Sequence, residues 1–304
     1  MERLYDKLKA YSESDFYAFH MPGHKRNKAL LGIELPYDLD ITEIDGFDDL
    51  HHADGILKEE QERAARVFGA EESHFLVNGS TAGILSAVMG CTHRGDKILV
   101  ARHCHKSIYH AIYMNGLVPR YVYPEFDISM HMNGEISKDD VAKALTAEPD
   151  IKAVVIVSPN YDGVVSDVKG IAEVAHSYRI PLIVDEAHGP HFGFHPAFPG
   201  RANDLGADVV INSLHKTLPS LTQTAILHIN GKIVNRRRIK KYLDMLQSSS
   251  PSYIFMASLD ACVNFVDGKC ENAFELYVER LQKFREELEP LQHLQILRTE
   301  HYDI

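Results

Sequence analysis

The sequence predicts an α/β fold, a mostly parallel sheet wrapped by helices, on two observations. From residue 56 onward short apolar runs alternate with segments of helix length, and several of those runs are continuous where a half-exposed strand would alternate apolar with polar. Strands joined by crossover helices, covered on both faces, produce this pattern. Over 56–68 the helical period places Ile56, Leu57, Ala64, Val67 and Phe68 near one face, and Gly69 follows as a C-cap. Strands are predicted at Phe75 to Val77, Ile98 to Ala101, Val118 to Tyr123, Ala153 to Val157, Leu182 to Val184, Val209 to Ile211 and Ala225 to Ile229. Helices are expected between them over 81–90, 105–115, 137–147 and 167–178, then over 232–247 and from about 252 to 289. The segment 1–50 reads as irregular and rich in turn residues.

At roughly 150 residues per domain, the 304 residues make two domains, or one large α/β domain with an appendage. With 25% charged and 45% hydrophobic residues the composition is that of a soluble globular protein. No apolar run approaches the roughly 20 residues that cross a bilayer, and the N-terminus is charged from Glu2 and Arg3 onward, so no membrane association and a cytoplasmic location are expected. Thirty-two basic against 43 acidic side chains give a net charge of −11, which disfavours a nucleic-acid partner and suits a cationic small molecule. Cys91, Cys104, Cys262 and Cys270 have no CxxC spacing and read as reduced core thiols. Asp45, Asp48, Asp49, His51 and His52 lack metal-site spacing and read as a solvated acidic turn, so no metal is expected, while Arg236, Arg237, Arg238, Lys240 and Lys241 read as the exposed face of a helix.

In sheets of this kind ligands bind beyond the carboxyl ends of the strands, and four predicted strand ends carry polar groups. After Phe75 to Val77, Gly79-Ser80-Thr81 opens a helix, offering free N–H groups and two hydroxyls to a phosphate, or else an ordinary N-cap. After Leu182 to Val184 comes Asp185-Glu186-Ala187-His188-Gly189; an acid there needs a cation or donors, or caps a loop. After Val209 to Ile211 comes Asn212-Ser213-Leu214-His215-Lys216, where burial favours the neutral amine that a carbonyl-binding lysine needs, although most lysines are simply solvated. After Ile98 to Ala101, His105 either caps a helix or stacks on a ligand ring. Together, a phosphate cradle, a histidine, a strand-end acid and a strand-end lysine meet the needs of pyridoxal 5'-phosphate, which requires an anion site, a carboxylate for its ring nitrogen and a lysine for its aldehyde.

The chain resembles the Orn/Lys/Arg decarboxylases, bacterial basic amino acid decarboxylases dependent on pyridoxal phosphate. The resemblance runs from Phe19-His20-Met21-Pro22-Gly23-His24-Lys25 through Asp45-Gly46-Phe47-Asp48-Asp49-Leu50-His51 to Ser248-Ser249-Ser250-Pro251. Asp185 to Phe192, and Ser213 to Lys216 with Thr222-Gln223 downstream, are its most specific parts. It implies the large domain of the type I aminotransferase fold. It also implies that Lys216 binds the cofactor aldehyde, Asp185 pairs with the ring nitrogen, His105 stacks on the ring, and Ser80, Thr81, Ser213 and His215 hold the phosphate. Ala187 and His188 would lie against the cofactor, Lys216 or His215 would return a proton to the α-carbon, and Ser249 within Ser248 to Ser250 would reach the phosphate of a neighbouring subunit in a homodimer.

The implied organisation is an N-terminal segment 1–50 near the site entrance, a cofactor-binding large domain 51–250, and a helical segment 251–304 leading to a C-terminal domain that family members have and this chain lacks. The expected reaction releases carbon dioxide from arginine, lysine or ornithine, with arginine put first by analogy with shorter family members. Two alternatives stand beside it: another enzyme of the same fold, an aminotransferase or lyase, and a truncated homologue that binds the cofactor without turnover.

Overall fold

A computed structural model of the chain describes residues 2–29, 32–294 and 296. In chain order its elements are α1 (Leu4–Ser12), α2 (Ile56–Val67), β1 (Glu72–Leu76), α3 (Gly79–Cys91), β2 (Lys97–Ala101), α4 (Lys106–Asn115), β3 (Val118–Val122), β4 (Phe126–Asp127), β5 (Met132–Asn133), α5 (Lys138–Ala147), β6 (Ile151–Val157), α6 (Val168–Ser177), β7 (Leu182–Asp185), β8 (Val209–Asn212), α7 (Leu214–Thr217), β9 (Ala225–Ile229), α8 (Arg236–Leu246), α9 (Tyr253–Val266) and α10 (Glu271–Leu288). The seven predicted strands form one sheet in the order β1-β9-β8-β7-β6-β2-β3. Its pairings from β8 to β3 are parallel, and β9 runs antiparallel to both neighbours.

Strand side chains alternate between two cores, as a doubly covered sheet requires. Val100, Val155, Ile183 and Ile211 pack under Ile84 and Val88 of α3, Ile108 of α4 and Ile239 of α8. Leu99, Val154, Ile156 and Val184 pack under Val141 of α5 and Ile171 of α6. A third cluster joins Leu4 and Leu8 of α1, Leu57 of α2 and Leu259 and Val263 of α9 to Phe75 and Ile226.

The small residues of α3 set its close packing. A Cβ on Gly83 would lie 2.6 Å from Leu76 Cδ1, and one on Gly90 would lie 2.9 Å from Ile239 Cα, so α8 approaches α3 backbone to backbone.

Several expectations need correction. The segment 1–50 is not wholly irregular, because Leu4 and Leu8, one helical turn apart, bury fully and draw α1 onto α9. There Asp260, also fully buried, meets Arg63 Nη2 at 2.5 Å and Arg3 Nη2 at 3.6 Å, and Arg63 bridges to buried Glu60 at 2.5 Å. Burial, then the like charge of Asp260, pushes the Glu60 carboxyl up to about 7.

The helical stretch from about 252 to 289 is two helices, parted at Gly268, whose φ of +100° ends the first. Arg236 and Arg238 are half-buried rather than solvated: Arg236 pairs with Glu71 and Glu72, and Arg238 donates to the Met89 and Thr92 carbonyls at the end of α3. Asp48 accepts from the backbone N–H groups of Asp49, Asp54, Gly55, Leu57 and Lys58; burial raises its pKa, but the bonds from Asp54, Asp49, Gly55 and Lys58 outweigh it and lower the carboxyl. The four cysteines are free thiols, with Cys104, Cys262 and Cys270 buried. No helix among the described residues is long and apolar enough to cross a membrane. His301 to Ile304, where the chain was expected to lead toward a further domain, lie outside the described residues.

Candidate active site

β7 and β8 are parallel neighbours, so their carboxyl ends open at the same edge of the sheet. Asp185 ends β7 at 3% exposure, accepting one hydrogen bond from the Ala187 N–H at 3.2 Å. Burial pushes its carboxyl up to about 6, with the Lys216 charge and the Ala187 N–H working against burial. Lys216 lies on α7, directly past β8. Its side chain is exposed rather than buried as the sequence suggested, and the partial burial of the amine lowers its pKa, opposed by the Asp185 charge. The Lys216 Nζ lies 2.8 Å from His188 Nε2. Burial, then the charges of Lys216 and His105, brings the His188 imidazole down to about 4, so it is neutral at ordinary pH, and in its Nδ1–H tautomer Nε2 accepts from the lysine. Tyr161, 87% exposed, stands edge-on to His188 with ring centroids 5.8 Å apart.

Glu186 and Asn212 form a buried brace behind these groups. Glu186 accepts from Asn212 Nδ2 at 3.0 Å and from the Ala202 N–H at 2.8 Å, and burial raises its carboxyl to about 8. Ser213 is fully buried, and its Oγ has no hydrogen-bond partner. The His215 Nδ1 lies 2.9 Å from the Thr224 carbonyl, which only accepts, so Nδ1 carries a hydrogen and Nε2 alone is available for proton work.

At the end of β1, α3 begins at Gly79 with a left-handed φ of +73°, and its N-cap Asn78 makes no capping bond. Ser80 is half-buried and Thr81 exposed. The first-turn N–H groups thus lack a side-chain cap. The Asn78 amide oxygen instead accepts from the Ser248 N–H at 3.0 Å, which brings Ser249, exposed, beside the start of α3 in its own chain. Gln223 donates to the Val77 carbonyl at 2.6 Å, and Gln247 accepts from the Val77 N–H at 2.8 Å, fixing the turn into α3.

His105 is the N-cap of α4, its Nδ1 meeting Ser107 Oγ at 2.8 Å and the Ser107 N–H at 3.3 Å. Its pKa is lowered by burial first and then by the Lys216, Lys106 and His110 charges, which places it in electrostatic reach of the lysine. The structure therefore joins Asp185, Ala187, His188, His105 and Lys216 into one group through bonds or mutual charge effects, and sets Ser80, Thr81 and Ser249 around the start of α3.

Sequence reading missed the Glu186–Asn212 brace, the clasp of Gln223 and Gln247 on Val77, and His103, whose half-buried Nδ1 lacks a partner. Glu186 and Asn212 each directly abut a residue that was singled out, and that adjacency was the available signal.

A buried hydroxyl without a partner, an acid held up by burial and an amine held down by burial are together satisfied by one ligand bringing acceptor oxygens, a cationic nitrogen and a carbonyl. Pyridoxal 5'-phosphate is such a ligand, and this donor set fits it.

The family model described as Orn/Lys/Arg decarboxylase, major domain, matches residues 3–303. The chain is 42% identical over 269 residues to Uncharacterized protein YaaO of Bacillus subtilis (strain 168), covering 86% of this chain and 56% of that protein. It is 39% identical over 264 residues to the Arginine decarboxylase of the same organism, covering 84% and 54%. Lysine decarboxylase A from Pseudomonas aeruginosa superposes with a TM-score of 0.84 at 24% identity, covering 98% of this chain and 45% of that structure. The chain thus spans about half the length of the curated relatives it matches, and its sheet is that of the aminotransferase-type fold. On the match from residue 3 to residue 303, and on relatives of this identity, the chain belongs to the Orn/Lys/Arg decarboxylase family.

Proposed function

We propose that the chain carries the pyridoxal-phosphate site of a decarboxylase acting on a basic amino acid, with arginine first among the candidates. The observation that carries this reading is the pairing, at two adjacent strand ends, of a buried acid with a lysine whose amine burial makes less basic. Relatives named arginine decarboxylase match at 35% to 39% identity and those named lysine decarboxylase at 26% to 29%, which supports arginine over lysine.

When bound, pyridoxal phosphate supplies an electrophilic aldehyde and a ring that draws electrons from the α-carbon. The chain's own residues do the rest. Lys216 would hold the aldehyde through its amine, and Lys216 or His215, through Nε2, would be the group placed to carry a proton for the α-carbon. Asp185, desolvated, would hold the ring nitrogen in its protonated form. His105 would face the ring, Ala187 and His188 would lie beside it, and the start of α3 with Ser80, Thr81, Ser213 and His215 would hold the phosphate through N–H and O–H donors.

In this reading residues 51–250 act as the cofactor-binding domain and 1–50 lie near its entrance, while α9 packs onto that domain through Leu259 and Val263. Exposed Phe16, Tyr17, Phe19 and Met21, with Tyr113 and Met114 on α4, support a second copy of the chain as partner, with Ser249 serving the neighbouring site.

Absorbance spectroscopy of the purified chain with added pyridoxal phosphate tests the reading. A visible band that Lys216→Ala abolishes, followed by carbon dioxide release from arginine, lysine or ornithine, is the expected result. A band with keto acid as product points to an aminotransferase, and a band without turnover to a cofactor-binding homologue. Absence of any Lys216-dependent band overturns the proposal.

A further inference from the structure

We propose that the Nε2 lone pair of His188 is the acceptor that holds the Lys216 amine in place and sets its basicity, which makes His188 a positioning residue for the lysine. The inference rests on the role proposed for Lys216, but it is read in the cofactor-free chain.

Geometry carries it. Lys216 Nζ and His188 Nε2 are 2.8 Å apart, a hydrogen-bond distance, and they come from separate backbone elements, the turn after β7 and helix α7. Both elements are fixed. A Cβ on Gly189, the residue after His188, would lie 2.8 Å from Phe192 and 2.9 Å from Glu186, so the turn is packed against its neighbours. On the other side, α7 is tethered by the His191 Nδ1 contact to Thr217 Oγ1 at 3.0 Å and by the bond from His215 to Thr224. Tyr161, edge-on, closes the ring from the solvent side.

The charged and titratable groups facing the pair are Asp185 from β7, which favours the lysine cation, and His105 from the cap of α4, which like Lys216 disfavours a histidine cation. Asp162, beside Tyr161, acts on His103 instead. Among the described residues, the His188 imidazole is the group at hydrogen-bond distance from Nζ. A bond from an ammonium to a neutral acceptor favours the charged form. His188 therefore keeps the amine oriented toward the site and offsets part of the fall in basicity that burial imposes.

The test is competitive labelling of the cofactor-free chain with trace acetic anhydride across pH, reading Lys216 against exposed Lys169 by peptide mass spectrometry, in the native chain, His188→Phe and His188→Gln. Phenylalanine keeps a ring and removes the acceptor, so the Lys216 profile should move to lower pH by about one unit, a roughly tenfold gain in labelling near neutral pH. Glutamine restores an acceptor oxygen and should return the profile toward the native one. A profile identical in His188→Phe and the native chain overturns the proposal, as does a His188→Gln profile displaced as far as that of His188→Phe.

A second measurement does not depend on how the His188 variants fold. In the 15N spectrum of histidine-labelled chain, Lys216→Met should move the His188 Nε2 resonance away from its hydrogen-bonded position, and an unmoved resonance again overturns the proposal. Failure here leaves the Lys216-dependent absorbance band intact, whereas failure of the proposed function removes that band, so the two are told apart.

Discussion

Two adjacent carboxyl groups at the end of β7 have opposite prospects. Asp185 awaits a cationic partner, while Glu186 is closed in by Asn212 and the Ala202 N–H and has none. Because burial raises Glu186 to about 8 from an ordinary 4.5, the folded chain binds more protons than the unfolded chain between those values. Stability from this group is therefore present at low pH and lost as pH rises through about 8. Glu186→Gln should flatten that dependence. Its amide group can donate where the carboxylate cannot, and the buried Asn212 Oδ1, which lacks a partner, can accept once the Asn212 amide turns over. The expected result is little change in urea midpoint near pH 5 and a gain above pH 8 of no more than about 5 kcal/mol. Glu186→Ala strips the Ala202 N–H of its acceptor and should cost about 2 kcal/mol near pH 5, where the native carboxyl is protonated, a cost offset as pH rises because the buried charge is removed as well. Equal midpoints for Glu186→Gln and the native chain above pH 8 contradict this account.

At the scale of elements, the α3–α8 contact is where, among the described glycines, an added Cβ would come nearest to backbone atoms of another element. A methyl group at residue 90 would meet the Cα and N of Ile239 at 2.9 and 3.0 Å, and backbone atoms do not swing aside as a side-chain terminus does. Gly90→Ala should therefore destabilise the chain by about 1–3 kcal/mol despite the better helix propensity of alanine. Gly23→Ala, with nothing within 4 Å and an ordinary φ, is the matched control and should be near neutral. Thermal unfolding of the two variants side by side decides the matter. This contact matters to the site because α8 leads into Gln247 and Ser248, whose bonds to Val77 and Asn78 hold the turn from which α3 starts.

For the whole molecule, what was legible in the sequence follows from what is local. Central strands such as β6 and β7 read as unbroken apolar runs because both faces are covered. The edge strand β1 alternates half-exposed Glu72 and His74 with buried Ser73 and Phe75, so the continuous-run reading began only at Phe75. Four-residue α7 is too short for any period to register. Lys216 and Asp185 could be found because polar groups directly after apolar runs are conspicuous. The bonds from Lys216 to His188, from Glu186 to Asn212 and from Gln223 to Val77 span 28, 26 and 146 positions, and no periodicity encodes such pairings.

Helix α3, which follows the first strand at one edge of the sheet, crosses to strands at its middle, touching β1, β9, β8 and β7 while α4 and α8 cover it. Beyond its uncapped first turn, its amides are covered by the sheet on one side and by α4 and α8 on the other, so their hydrogen exchange should report large-scale unfolding. A ligand gripped at the first turn of such a helix is then felt everywhere at once. Saturating pyridoxal phosphate should slow exchange in α3 and in β7 and β8 by one common factor, set by ligand concentration over dissociation constant, and protection confined to the residues around Gly79 would contradict that coupling.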